Sequence, residues 1–91
     1  MQDVSGIITA GGTAQTLFSG VAKGFWIENI DASEALFVND SVAASTTDGK
    51  SVSIPAGAIY ETPSWWGSPV AVATVSVVAA TTGHKFSARR Y

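Results

Sequence analysis

Ninety-one residues and 9.4 kDa make one domain, which excludes an enzyme assembled from separate cofactor and substrate modules. Hydrophobic residues are an ordinary 46% of the chain, but charged residues are only 13% where about 25% is usual in soluble domains, so the shortfall falls on the surface. Five Lys and Arg against seven Asp and Glu give a net charge of −2 and a pI near 5.0, no basic field for nucleic acid or an anionic membrane, and the absence of Cys excludes disulfides and zinc–thiolate sites.

Met1-Gln-Asp-Val-Ser-Gly6 lacks the basic and apolar regions of a secretory leader. With the glycines at 11 and 12, the segment 1–12 reads as a flexible N-terminal arm, ordered only where it lies across a neighbour, ahead of a β domain over 13–91. Turn residues then recur at intervals of about one strand: Gly20, Gly24, Asp31-Ala-Ser33, Asp48-Gly49, Pro55-Ala-Gly57, Gly67-Ser-Pro69 and Thr81-Thr-Gly83. The pieces between them are rich in Val, Ile, Thr and aromatics, which pack well on a pleated surface and lose rotamers in a helix. Strands are predicted at Gly6 to Thr9, Thr13 to Phe18, Gly24 to Ile30, Ala35 to Asn39, Lys50 to Ile54, Ala58 to Thr62, Val70 to Ala80 and Lys85 to Tyr91. The predicted fold class is all-β, a single-domain antiparallel sandwich or jelly-roll-like barrel.

Within these strands, Phe25-Trp26-Ile27 reads as core. Ser41 to Thr47 reads as a mobile loop tip, and Asp48-Gly49 as a hairpin signal, since Gly accepts positive φ and Asp bonds its own backbone. Val52 and Ile54 alternate with serines as in a half-buried strand, and Pro55-Ala-Gly57 forms a turn into the next one. Val70 to Ala80 is apolar at both parities, too short to span a membrane as a helix, and bounded by Pro69 and Gly83. One of its faces belongs to the core; the other meets something outside the chain or a loop folded over it.

Candidate sites are few. His84 is the single imidazole, and nothing resembles the Gly-x-Ser-x-Gly turn of a serine nucleophile, so it reads as a turn residue before the last strand, with no catalytic residues expected. One His without Cys supplies no transition-metal ligand set, and Asp40 and Asp48 lack EF-hand spacing, so neither metal nor cofactor is expected. Trp65-Trp66, between Pro63 and Pro69, has three open readings: core or cap packing, a subunit interface anchor, or a sugar-stacking platform. The candidate interface residues are Trp65, Trp66, Val70, Val72, Arg89, Arg90 and Tyr91. For Lys85, Arg89 and Arg90, pairing with an acidic neighbour or guarding a sheet edge is the expected role.

Thr13-Ala-Gln-Thr-Leu17, Trp26-Ile-Glu-Asn29, Leu36-Phe-Val-Asn39, Ile54-Pro-Ala-Gly-Ala-Ile-Tyr-Glu61 and Ala80-Thr-Thr-Gly-His-Lys-Phe-Ser-Ala-Arg89 with the terminal Tyr91 resemble, in their order, small β-rich virion proteins of tailed bacteriophages. Trp65-Trp66 stands outside that pattern. The resemblance implies a non-enzymatic virion structural protein, a capsid decoration or cement protein working as a homo-oligomer, commonly a trimer, against the major capsid protein or another virion protein. The alternative it leaves is a fibre or tail-associated module that binds a host receptor or glycan through Trp65 and Trp66.

Overall fold

The computed structural model describes residues 2–22, 24–39, 43–47, 49, 51–62 and 70–91, with the side chains of 21, 22 and 70–73 excepted. Nine strands follow in chain order: β1 (Gln2–Asp3), β2 (Gly6–Ile7), β3 (Gln15–Ala22), β4 (Phe25–Asn29), β5 (Leu36–Asn39), β6 (Val52–Ile54), β7 (Ile59–Glu61), β8 (Val70–Val78) and β9 (Lys85–Arg90). Every pairing is antiparallel. One sheet runs β1-β9-β4-β7 with β2 also on β9, and the other runs β3-β8-β5-β6. The short β1 and β2 flank one interruption and together make a single first strand. First then pairs with last, β3 with β8 and β5 with β6, while β4 and β7 lie side by side. That nested wrapping of one long hairpin into two sheets is the jelly-roll order, so the predicted all-β sandwich is the architecture found.

Alternation builds the core. Along β4, Phe25, Ile27 and Asn29 point inward while Trp26 and Glu28 point out. Phe86 and Ala88 of β9 join them from the same sheet, and Leu36, Val38, Ile54, Val75, Val77 and Ala79 face them from the other. Phe18 of β3 meets Phe25 of β4 edge to face, with centroids 5.5 Å apart at 72°, so an aromatic pair crosses the two layers. Trp26 is thus half-buried on the outer face, where core had been expected of it along with Phe25 and Ile27.

Within the segment expected as an arm, residues 2–3 and 6–7 contribute sheet instead. The N–H groups of Val4, Ile8 and Gly12 donate to the carbonyls of Ala88, His84 and Ala79 at 3.0, 2.9 and 2.8 Å, and the Ile8 side chain is fully buried. Burying one large aliphatic and satisfying that backbone outweighs the freedom of a short Gly-containing segment. The interruption lies at Ser5, whose hydroxyl takes the Ala88 N–H at 2.9 Å in place of a backbone carbonyl.

Between the sheets, the Pro55-Ala-Gly57 turn closes with the Ala58 N–H on the Pro55 carbonyl (3.0 Å) and Gly57 at φ 78°. That is a type II turn, whose third residue needs positive φ and so favours Gly. Val52 and Ile54 share one face as expected, but Val52, on the edge strand, is 41% exposed while Ile54 is buried.

The outer face of β8 is covered at its C-terminal half. Ser76 and Val78 point away from Val75 and Val77, yet both are buried. Ala44 lies over this side, its N–H donating to Ser76 Oγ at 2.7 Å, and the Ser45 N–H donates to Ser51 Oγ at 3.0 Å. Of the two covers considered for that face, the chain's own loop serves here, and residues 43–45 are therefore a strap where a free loop tip had been expected.

Candidate functional site

Sequence reasoning singled out residues that end up in different places. Trp65 and Trp66 lie outside the described residues, as do Asp40, Asp48 and Pro63. Val70 and Val72 belong to β8, where they pair with Ala22 and Gly20 of β3. Arg89, Arg90 and Tyr91 are described in full, and each does something different.

Arg89 points outward from β9. Its Nη1 donates to Asp3 Oδ1 at 2.8 Å, and its guanidinium lies 5.6 Å from the Trp26 ring centroid. The expected acidic neighbour is therefore Asp3, directly opposite in the β1–β9 register. Hydrogen bonds from Ser5 and the Arg89 charge hold the Asp3 carboxyl below its ordinary range. Arg90 turns toward the opposite sheet, donating to the Ser19 carbonyl at 3.0 Å with its guanidinium 5.3 Å from the Phe18 ring centroid. It ties the layers together and so belongs to the fold. Tyr91 exchanges backbone hydrogen bonds with Gly24 at 2.9 and 3.0 Å. A Cβ at Gly24 would come within 3.0 Å of the Tyr91 ring, so the close approach depends on glycine there.

At the opposite end, the turns at 30–35 and 80–84 enclose a depression of about 190 Å³ lined by Asp31, Ser33, Glu34, Thr81, Thr82, Gly83 and His84. Buried Asn29 organises its floor. Its Nδ2 donates to the carbonyls of Glu34 (2.8 Å) and Ile54 (2.9 Å), which fixes Oδ1 as the acceptor. His84 Nε2, 2.7 Å from that Oδ1, must then carry its proton. Nδ1 faces Glu34 Oε1 at 3.8 Å, and Thr81 Oγ1 donates to Glu34 Oε2 at 2.8 Å. Through Asn29 and Glu34 the imidazole links the 80–84 turn to the 30–35 turn. Among the described residues no group of three or more His, Asp or Glu is placed to hold a metal ion.

Asp31 caps the first of those loops. Its Oδ2 accepts the N–H groups of Ser33 (3.1 Å) and Glu34 (2.9 Å), which pull its carboxyl below the ordinary range. A depressed carboxylate stabilises the fold at neutral pH, and that contribution fades as pH falls from about 4 through the lowered folded value. Thermal unfolding of the parent chain should therefore lose ground below about pH 4 more steeply than that of Asp31→Asn, with the gap narrowing in acid. Parallel curves would show that the capping charge contributes nothing.

The outer face of the β1-β9-β4-β7 sheet is the feature that sequence reasoning missed. Opposed residues in a ladder share a face, so the registers place Asp3, Arg89, Trp26 and Glu61 in one row across it, then Ser87, Glu28 and Ile59, then Ile7 and Lys85. Ile30 continues the outward parity of β4. Ile7 is 48% exposed, Ile30 48% and Ile59 62%, so three of the four large exposed aliphatics of the described residues collect here. The signal was the parity of Trp26, Glu28 and Ile30, legible only once neighbouring strands were known.

No family model, curated protein or solved structure matches the chain. Function therefore has to be argued from the site and the sequence.

Proposed function

We propose that this chain is a non-enzymatic structural protein of a bacteriophage virion, a capsid decoration or cement protein that works as a homo-oligomer in contact with the major capsid protein. The observation that carries the proposal is the outer face of the five-stranded sheet, where Ile7, Ile30 and Ile59 stand exposed on the same face as half-buried Trp26 in a chain poor in charge. Clustered exposed aliphatics mark surface that another protein covers. The jelly-roll order supports the reading by analogy, because that fold recurs in viral capsid and lectin domains, although fold alone does not give function. The order of sequence motifs resembling phage virion proteins adds the assembly context. The lectin side of the same analogy keeps the glycan-binding fibre module as the second reading, with Trp65 and Trp66 as its stacking groups.

The test is binding to heads prepared without the protein. The purified chain should co-sediment with them at a fixed ratio and raise the temperature at which they release DNA, and Trp65→Ala/Trp66→Ala should weaken that binding or the self-association that accompanies it. A chain that ignores heads but binds immobilised glycans, and loses that binding in the double variant, overturns the proposal in favour of the fibre module.

A further inference from the structure

The buried ring of His84 sits between two acceptors, Asn29 Oδ1 at 2.7 Å from Nε2 and Glu34 Oε1 at 3.8 Å from Nδ1. Their neighbours hold both side chains in place. Asn29 uses its Nδ2 protons on the carbonyls of Glu34 and Ile54, and the Thr81 hydroxyl takes the other carboxylate oxygen, Glu34 Oε2, at 2.8 Å. Among the described residues, Glu34 Oε1 is the one buried side-chain oxygen or nitrogen without a hydrogen bond. A neutral imidazole has a single proton, and Nε2 uses it, so the lone pair of Nδ1 is then turned toward a carboxylate. A second proton, on Nδ1, gives that oxygen the donor it lacks and replaces repulsion with attraction.

We infer that the tie between the 30–35 and 80–84 turns is a pH-sensitive clasp, closed when His84 carries a proton on each ring nitrogen and loosened when the Nδ1 proton leaves. The charged groups around the ring favour closure. Glu34 and Asp31 both stand on the facing turn; the Ser33 and Glu34 N–H groups hold the Asp31 carboxyl low, and the His84 charge adds to them. Residues 8–11 run alongside, with the Ile8 N–H on the His84 carbonyl and the Gly11 N–H on Thr82 Oγ1, and they have no ionisable side chain. Asn29 of β4 is neutral, and Lys85, the next residue along, has the opposite parity and stands on the outer face of the sheet. Burial of the ring opposes its charge, and the two carboxylates with the amide oxygen offset that cost. The Nδ1 proton meets Glu34 only in the folded chain. The clasp therefore stabilises the fold where the ring is protonated, and its contribution fades as pH rises through the range of about 5 to 8 in which histidines lose their charge. That is the reverse of the Asp31 cap, whose contribution fades in acid. The clasp makes no use of the outer sheet face and stands or falls separately from the virion role.

Glu34→Gln tests it, because an amide reverses the preference. The Gln side chain still accepts from Thr81 and turns an N–H toward Nδ1, which suits a neutral ring and repels a charged one. Urea unfolding of parent and variant is compared from about pH 5.5 to 8.5, where carboxylates of ordinary acidity stay ionised. The parent's advantage in folding equilibrium constant should fall at least ~5-fold across that range, and at the alkaline end the variant should equal or exceed it. In a His84→Gln background the same substitution should have an effect independent of pH. Nitrogen-15 spectra of the imidazole in the folded parent give a second readout: both ring nitrogens protonated at the acid end, and Nδ1 a bare acceptor beside a protonated Nε2 at the alkaline end. A parent advantage that does not change with pH, a change that persists without the imidazole, or an Nδ1 still unprotonated at the acid end each overturns the inference.

Discussion

Alanine at position 29 should lower the unfolding free energy by about 3–5 kcal/mol, a loss built from several orphaned partners at roughly 1–3 kcal/mol each before relaxation. The Asn29 side chain is fully buried and serves the Glu34 and Ile54 carbonyls, the Asp31 N–H and His84 Nε2 together. Removing it strands a carbonyl in the core and releases the imidazole that ties the two loops. Asn29→Asp is the informative companion, because it retains an acceptor for His84 but turns an acceptor toward two carbonyls. Both variants should melt well below the parent by circular dichroism, and a shift under about 5 °C for Asn29→Ala would mean that water replaces the amide without cost.

Phe25→Ala is expected to cost a similar amount, about 3–5 kcal/mol, by a different mechanism. Phe25 is 1% exposed, sits edge to face with Phe18 of the opposite sheet, and has Tyr60 of its own sheet at 5.9 Å. Truncation leaves a cavity at the contact between layers, where rigid strands cannot collapse onto it. Chains of this size have total stabilities of roughly 5–13 kcal/mol, so the variant should be partly unfolded at 37 °C. Urea unfolding checks this through the midpoint and the slope. Phe25→Leu, which keeps most of the volume, should recover the larger part of the loss, and equal midpoints for the two variants would deny that the cavity is the cause.

What could be read in advance follows the range of the forces involved. Strands at Gly24 to Ile30, Ala35 to Asn39 and Lys85 to Tyr91 are legible because turn residues and alternating side chains are local signals. The inward parity of Phe25, Ile27 and Asn29 was not read, since Trp26 was expected in the core beside Phe25 and Ile27, and nothing local marked Asn29 as the centre of a buried amide network. The pairing of Gln2–Asp3 with β9 was not legible, since two residues carry no period and their partner lies at the far end of the chain. The same limit hid the outer face. Ile7, Ile59 and Lys85 are unremarkable singly and become a surface only when register brings three distant segments side by side. The strap at Ala44 escaped for a related reason: small residues such as Ala43-Ala-Ser45 resemble a free loop until Ser76 offers a hydroxyl to hold one of them.

Because β9 lies between β4 and the first strand, a nascent chain that ends before Lys85 leaves both of those strands without a neighbour on that side. The ladder that joins Gln2–Asp3 and Gly6–Ile7 to the rest of their layer cannot form until Lys85–Arg90 is available to pair with them. Closure of this layer is thus a long-range step that no segment before Lys85 can complete, and Ile7 and Ile30 lack their settled surroundings until β9 is in place.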